Sequence, residues 1–111
     1  MFRLYLDDER QAPEHFNIRC YTAANAIKVL SSGIPIDVVS LDHDLGDDKA
    51  GTGYDVLLWI EEQVHTNPYY ELPLLHIHTA NPSARLKMQA ACDNIVRYYK
   101  SYKKRRANES Y

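Results

Sequence analysis

The stretch "IDVVSLDHDLGDD", residues 36–48, joins a short apolar run to a dense group of aspartates. The run "IDVVSL" is rich in Val, Ile and Leu and lies between Pro35 and the acidic group, which is typical of a buried β-strand. Four carboxylates crowded together repel one another and require solvent, a cation or a basic side chain nearby. The stretch therefore predicts a strand that ends in a solvated acidic loop, a metal site or an active site.

Three other segments have the same strand-like composition and boundaries. They are "FRLYL" (2–6), "IRCY" (18–21) and "LPLLHIHT" (72–79). A helical pattern follows each of the last three strands. Thr22 begins the first helix and Gly33 ends it, Thr52 and Asp55 form a capping box at the second, and Asn81 begins a third that extends to about residue 104.

Strands that alternate with helices predict a parallel sheet with right-handed crossovers. The first connection is different, because only the ten residues "DERQAPEHFN" (8–17) separate the first two strands. A helical crossover with its loops needs more chain than that. We therefore expect a small α/β fold with a mainly parallel sheet of about four strands and flanking helices, without the first crossover helix.

Composition and charge limit the classes of protein that fit this chain. With 111 residues, of which 45% are apolar, the chain is long enough for one domain with one core. The net charge of −2 is divided unevenly, because residues 100–111 contain five Lys or Arg and one Glu and carry +4, whereas the preceding 99 residues carry −6. We expect a domain over 1–99 and a basic segment over 100–111 that extends the last helix or is disordered. The acidic domain disfavours nucleic acid as its main ligand, although the tail could contact phosphates.

The remaining composition signals concern the compartment. The N-terminus becomes acidic after six residues, unlike a signal peptide, and no apolar run approaches the roughly 20 residues of a membrane helix. Cys20 and Cys92 are too few to indicate a secreted disulfide framework. We expect reduced thiols, a cytoplasmic location and no membrane partner.

Polar residues gather at the carboxyl ends of three predicted strands, where ligands bind in open α/β sheets. These residues are Asp7, Asp8, Glu9 and Arg10; Asp42, His43 and Asp44; and His78, Thr79 and Asn81. Asp47 and Asp48 lie further on and fit a solvated turn. Residues far apart in the chain are thus predicted to meet at one rim of the sheet.

The residue types at this rim indicate chemistry with anions. Asp7, Asp8 and Asp42 form an acidic pocket of the kind that holds a hard divalent cation such as Mg²⁺ or Mn²⁺. Arg10 is an alternative counter-charge for them and could also hold a phosphate. Asn81 and the helix that it starts offer N–H donors to an anion.

The two histidines of the last strand lie two residues apart and therefore on one face of the sheet. His78 is at the rim and is the better acid–base candidate, since an imidazole titrates near neutral pH. His76 lies further from the rim, and we interpret it as a hydrogen-bonded core histidine. Thr79 could add a hydroxyl group to the site.

Four motifs, in order, resemble the cyclic-phosphate-processing receiver-like domains, a degenerate relative of the response-regulator receiver. They are "LYLDDERQAP" (4–13), "SLDHDLG" (40–46), "GTGYDVLLWIEE" (51–62) and "HTANP" (78–82), within a resemblance that covers about residues 3–97. The resemblance implies a truncated receiver-like, flavodoxin-like fold. It also implies that Asp7 and Asp8 match the receivers' paired acids, Asp42 their phosphorylatable aspartate and Thr79 their hydroxyl residue.

The resemblance to the cyclic-phosphate family also implies functional roles at four further positions, namely His43, Asp44, His78 and Asn81. The chain departs from signalling receivers because no fifth strand and no Lys-Pro pair follow the last helix, where the sequence reads "VRYYKSYKKRR" (96–106). The first expectation is therefore a phosphoesterase that opens a cyclic phosphate on a nucleotide or a 2′,3′-cyclic phosphate at an RNA end. In it, His78 protonates the leaving oxygen or activates water, and Asp42 or Asp44 orients the water or an imidazole.

Two alternatives remain open from the sequence. One is a signalling receiver, phosphorylated at Asp42 with Mg²⁺ held by Asp7 and Asp8. The other is a non-catalytic module that binds a phosphorylated ligand or a partner. The sequence leaves the oligomeric state open in each case.

Overall fold

A computed structural model of the chain describes the backbone of residues 1–46 and 48–109 and the side chains of residues 1–46 and 49–103. It contains four strands, β1 (Phe2–Leu6), β2 (Ile18–Cys20), β3 (Ile36–Leu41) and β4 (Leu74–Ile77). It also contains three α-helices, α1 (Ala23–Leu30), α2 (Gly53–Thr66) and α3 (Pro82–Glu109), and a 3₁₀ turn over Asp48–Ala50. The predicted four-stranded α/β fold is confirmed. Asp47 and the side chain of Asp48, predicted to be solvated, lie outside the described residues.

The sheet has the strand order β2-β1-β3-β4, and every neighbouring pair is parallel. The register places Leu6, Leu41 and Ile77 side by side at the carboxyl ends of β1, β3 and β4. One residue earlier, Tyr5 pairs with Ser40 and Ser40 with His76. The residues that follow these strands therefore meet at one rim, as predicted.

The two predicted threonine caps are present. The hydroxyl of Thr22 accepts a hydrogen bond from the Asn25 N–H at the start of α1. At the start of α2, Thr52 accepts from the Asp55 N–H, and Asp55 accepts from the Thr52 N–H, which completes a capping box. These bonds satisfy backbone donors that the first turn of a helix leaves free. Gly53, the first residue of α2, packs directly against the carbonyl of Asp42 after β3, because it has no side chain.

All three helices lie on the same face of the sheet, which we call the covered face. The connections from β2 to β3 and from β3 to β4 step across the sheet in the same direction, so right-handed crossovers place α1 and α2 together. The helix α3 follows on the same side and packs against α2 and β4. The core between them contains fully buried side chains from each layer, including Leu4, Leu6, Val39, Leu41, Val56, Leu57, Ile60, Met88 and Ile95.

The opposite face, which we call the open face, carries no helix in the described part of the chain. The step from β1 to β2 runs in the other direction and is made only by the loop 7–17. Alternate side chains of a strand point to opposite faces of a sheet, and Arg3, Tyr5 and Ser40 point to the open face. The short first connection therefore removes a whole helical layer.

Three predicted elements differ in extent from those observed. The strand predicted over 18–21 ends one residue earlier, at Cys20. The strand predicted over 72–79 is shorter, Leu74–Ile77, since Pro73 has no N–H for the ladder. The last helix continues beyond the predicted residue 104 to Glu109. Among the described residues, no helix has both the length and the apolar character needed to cross a membrane.

Candidate functional site

Asp7, the residue after β1, organises the rim from a buried position. Only 1% of its surface is exposed. Its Oδ1 accepts hydrogen bonds from the N–H groups of Glu9 at 2.8 Å and Arg10 at 2.9 Å. Aspartate favours such side-chain bonds to its own backbone a few residues on, because they stabilise a turn. The turn leaves Oδ2 directed at the other strand ends.

Arg10 connects the ends of three strands. Its Nη1 lies 3.2 Å from Asp7 Oδ2 and 3.8 Å from Asp42 Oδ2, and it donates a 2.9 Å hydrogen bond to the carbonyl oxygen of His78. About 46% of the side chain remains exposed. The guanidinium therefore partly neutralises the two carboxylates while its outer surface faces solvent.

His78, the residue after β4, has protein partners at both ring nitrogens. Its Nε2 lies 3.1 Å from Asp7 Oδ2, and its Nδ1 lies 2.7 Å from the hydroxyl oxygen of Ser40. The ring stacks on Tyr5 with centroids 4.3 Å apart and planes within 5°. The same hydroxyl lies 3.1 Å from Nδ1 of His76. The imidazole of His78 is thus fixed in position and orientation.

Burial and hydrogen bonding shift the pKa values of this pair. Burial lowers the pKa of His78, although Asp7 and Asp42 oppose the shift. For Asp7, burial alone would raise the pKa, but the N–H groups of Glu9 and Arg10 and the contact with His78 outweigh it and lower the pKa. At neutral pH the site therefore contains an ionised carboxylate beside a neutral imidazole.

The segment after β3 contributes a second imidazole–carboxylate pair. Asp42 is buried, and its Oδ1 accepts a 2.8 Å hydrogen bond from the His43 N–H. His43 Nδ1 lies 2.9 Å from Asp44 Oδ1, and that carboxylate is exposed. Nε2 of His43 has no hydrogen-bond partner among the described residues. This nitrogen is therefore available to a ligand.

Three of the candidate side chains form a set of metal donors. Ligand atoms of Asp7, Asp42 and His78 all lie within 4.8 Å of one another. Asp8, predicted as a third carboxylate ligand, is half-buried and is not part of this set. Its Oδ2 instead lies next to Gly46, whose φ of +83° suits glycine. An imidazole in the set favours Mn²⁺ over Mg²⁺, which prefers oxygen ligands alone.

Thr79 and Asn81 form local bonds at the start of α3. The Thr79 hydroxyl is buried and accepts a 3.2 Å hydrogen bond from the Asn81 N–H. The side-chain oxygen of Asn81 accepts from the Ala84 N–H at 3.1 Å, as a helix cap does. These bonds fix the segment that follows His78. The contact of Thr79 and Asn81 with a substrate stays a prediction.

Ser40 and His76 differ from what the sequence predicts. Ser40 lies at the end of a predicted buried strand with no predicted role in the site, yet it bonds both histidines because the register of β3 and β4 places it beside them. A hydroxyl in an otherwise apolar strand was the available signal. His76 is exposed rather than part of the core, since no described helix covers its face of the sheet.

The comparison with protein families gives one match. A model of the cyclic-phosphate processing Receiver domain matches residues 2–94 of the chain. The match includes every site residue described above. Neither the curated proteins nor the solved structures contain a match to this chain.

Proposed function

Because the chain belongs to the cyclic-phosphate processing receiver family, we propose that it is a phosphoesterase that hydrolyses cyclic phosphates. The proposed substrate is a nucleotide or an RNA end that carries a 2′,3′-cyclic phosphate. The observation that carries the proposal is the position of Arg10, held between two buried carboxylates and beside His78 with its outer surface exposed. Ligands of open α/β sheets bind at this rim.

Arg10 is the proposed phosphate-binding residue. A guanidinium has five N–H donors, and the contacts with Asp7, Asp42 and His78 all use Nη1. Nε and Nη2 bond no other described residue and therefore remain for two phosphoryl oxygens, which suits the paired geometry of phosphate recognition. The bonds to Asp7 and to the His78 carbonyl orient the group before a substrate arrives.

His43 is the proposed proton-transfer residue, with Asp44 as the group that orients it. A water molecule attacks phosphorus and gives its proton to Nε2 of His43, while the bond from phosphorus to one ribose oxygen breaks. His43 then returns the proton to that oxygen, which leaves a phosphate monoester and a hydroxyl group. This assignment transfers the acid–base role from His78 to His43, because Nδ1 of His78 bonds Ser40 and its Nε2 is directed at Asp7 within the set of metal donors.

A divalent cation fits the charge of the site. Asp7 and Asp42 carry two negative charges against one positive charge on Arg10, and His78 is neutral. The resulting excess negative charge would repel a phosphate anion. Asp7, Asp42 and His78 would hold the cation, with Ser40 as the outer partner that fixes the imidazole. When bound, the cation would neutralise charge on the phosphoryl oxygens.

The test is hydrolysis of a panel of cyclic phosphates by the purified chain with Mn²⁺, followed by ³¹P NMR. We expect His43→Ala to lower turnover about 100-fold or more, since acid–base groups contribute roughly 10² to 10⁴-fold. His65→Ala is the matched control, because His65 stacks on Tyr98 and belongs to none of the site contacts described above. An inert panel, or full turnover by His43→Ala, would contradict the mechanism.

A signalling receiver is the second candidate, since Asp42 follows β3 and Thr79 follows β4 as in phosphorylated receivers. It predicts base-labile labelling of Asp42 by a small phosphodonor and no labelling of Asp42→Asn. Tight binding of a cyclic nucleotide without turnover would instead indicate a binding module.

A further inference from the structure

The open face contains a cavity of about 450 Å³ that shares residues with the rim. Its lining includes Arg3, Tyr5, Phe16, Leu74, His76 and His78. Small-molecule sites typically have volumes of about 300–1,000 Å³. The cavity exists because, among the described residues, only the loop 7–17 covers this side of the sheet, so part of the sheet surface stays accessible.

We propose that this cavity holds the base and ribose of a nucleoside whose cyclic phosphate reaches the rim. The inference rests on the proposed function and assigns its substrate class, a terminal nucleoside with a cyclic phosphate. The cavity is continuous with the rim of the sheet. His78 and Ser40 line the cavity, and His78 also contacts Asp7 and Arg10 at the rim. One ligand can therefore contact both regions.

The walls of the cavity carry planar rings that suit a nucleobase. Phe16 and His15, whose rings lie 4.9 Å apart, contribute from the loop, and His76 contributes an exposed imidazole from β4. Planar rings of this kind stack on nucleobases, and each such contact is worth about 1–3 kcal/mol. An aliphatic alcohol or a sugar phosphate would gain no such stacking.

The charge of the cavity lining differs from that of the rest of the domain. Residues 1–99 carry a net charge of −6, yet no carboxylate is among the described residues that line the cavity. Arg3 and three histidines line it instead. The Nε of Arg3 is hidden from solvent and has no hydrogen-bond partner among the described residues. Buried donors of this kind are rare, and the guanidinium of Arg3 adds a positive charge to the wall of the cavity.

The experiment compares Leu74→Glu with Leu86→Glu. Leu74 lines the cavity and is 68% exposed, so the substitution should be tolerated by the fold, whereas Leu86 is 74% exposed on α3 and lies outside the cavity. Each variant is tested on adenosine 2′,3′-cyclic phosphate, on a short RNA that ends in the same group, and on glycerol 1,2-cyclic phosphate, which has no base.

We expect Leu74→Glu to raise KM at least roughly tenfold (about 1.4 kcal/mol) for the nucleoside substrate, because a base that enters the cavity would remove water from the new carboxylate without giving it a hydrogen-bond partner. The KM for glycerol cyclic phosphate, and every KM of Leu86→Glu, should not change. If the mononucleotide and the RNA end respond equally, the terminal nucleoside is the recognised unit. A rise in KM for only one of the two substrates would identify that substrate as the source of the bound nucleoside.

The outcomes separate this inference from the proposed function. Equal hydrolysis of all substrates, unaffected by Leu74→Glu, overturns the cavity assignment and leaves the phosphoesterase intact. If nothing is hydrolysed, calorimetric binding of adenosine 3′-monophosphate decides, since loss of binding in Leu74→Glu supports the cavity and absence of binding in the parent protein overturns it. A Leu74→Glu variant that changes only the oligomeric state assigns the face to a second copy and also overturns the proposal.

Discussion

The two faces of the sheet divide the tasks of this small domain. The covered face contains the fully buried apolar side chains and packs against all three helices. The open face contains Arg3, Tyr5, Ser40 and His76 and, in the part of the chain that the structure describes, is covered only by a loop. Buried apolar packing is therefore concentrated on one side of the sheet, and polar side chains are concentrated on the other. The difference shows how a chain of 111 residues can keep a ligand-sized cavity without weakening its core.

The strongest test of this division compares two leucines on opposite faces. Leu4 is fully buried, and Leu74 is 68% exposed. We expect Leu4→Ala to lower the free energy of unfolding by about 3 kcal/mol, because it removes buried methyl groups and leaves a cavity, and Leu74→Ala to lower it by less than about 0.5 kcal/mol. Urea titrations followed by circular dichroism measure both. Equal losses would show that the open face is packed as tightly as the covered one.

A chemical test uses the buried thiol of α3. Burial raises the pKa of Cys92 from 9.0 to about 11, with a smaller contribution from the charge of Asp93. Below pH 9 the native thiol should be alkylated about 100-fold more slowly than an unfolded one, since two pKa units reduce the thiolate fraction by that factor. Its contribution to stability is fully present below pH 9 and is lost as the pH rises toward 11.

Mass spectrometry of iodoacetamide-treated protein, with and without urea, measures the alkylation rate at Cys92. Modification of the exposed His76 by diethylpyrocarbonate is the matched measurement for the open face and should be rapid in the native protein. Fast alkylation of native Cys92 would mean that the covered face opens readily.

The contact between α2 and the rim is tested at Gly53. A Cβ at this position would overlap the carbonyl oxygen of Asp42 and approach Cε of Met88. We expect Gly53→Ala to cost about 2 kcal/mol through overpacking and to weaken Mn²⁺ binding by displacing Asp42. Gly33→Ala is the control, because φ there is +92° but no atom lies near the added methyl group. It should lose stability without a change in Mn²⁺ affinity, and a shared loss of affinity would refute the argument.

The smallest expected effect is at Ser40. Ser40→Ala removes the hydroxyl that lies between His76 and His78 and should cost about 1 kcal/mol. Ser31→Ala is the matched control, since its hydroxyl donates a bond to the Lys28 carbonyl at an exposed site and should contribute less than about 0.5 kcal/mol. Thermal unfolding measures both changes. Similar values would mean that the Ser40 contacts add nothing to the native state.

Local signals predicted much of this structure. Thr22 and Thr52 identified two helix starts, because a cap depends on residues three positions apart. The convergence of Asp7, Asp42 and His78 followed from the rule for parallel sheets. The partners of Ser40 did not follow, since they depend on strand register. The exposure of His76 depends on which face of the sheet the helices cover, and that face cannot be predicted from any single segment of the sequence.

The hydroxyl of Ser40 has one proton and two histidine neighbours, which links the tautomers of the two rings. When His78 carries its proton on Nε2 toward Asp7, its Nδ1 accepts the serine proton, and His76 must carry a proton on Nδ1. A cation on Nε2 of His78 would reverse this chain and move the proton of His76 to Nε2. The ¹⁵N NMR signals of the exposed His76 imidazole would thus show whether a cation occupies Nε2 of His78. No movement of the backbone is needed for this effect.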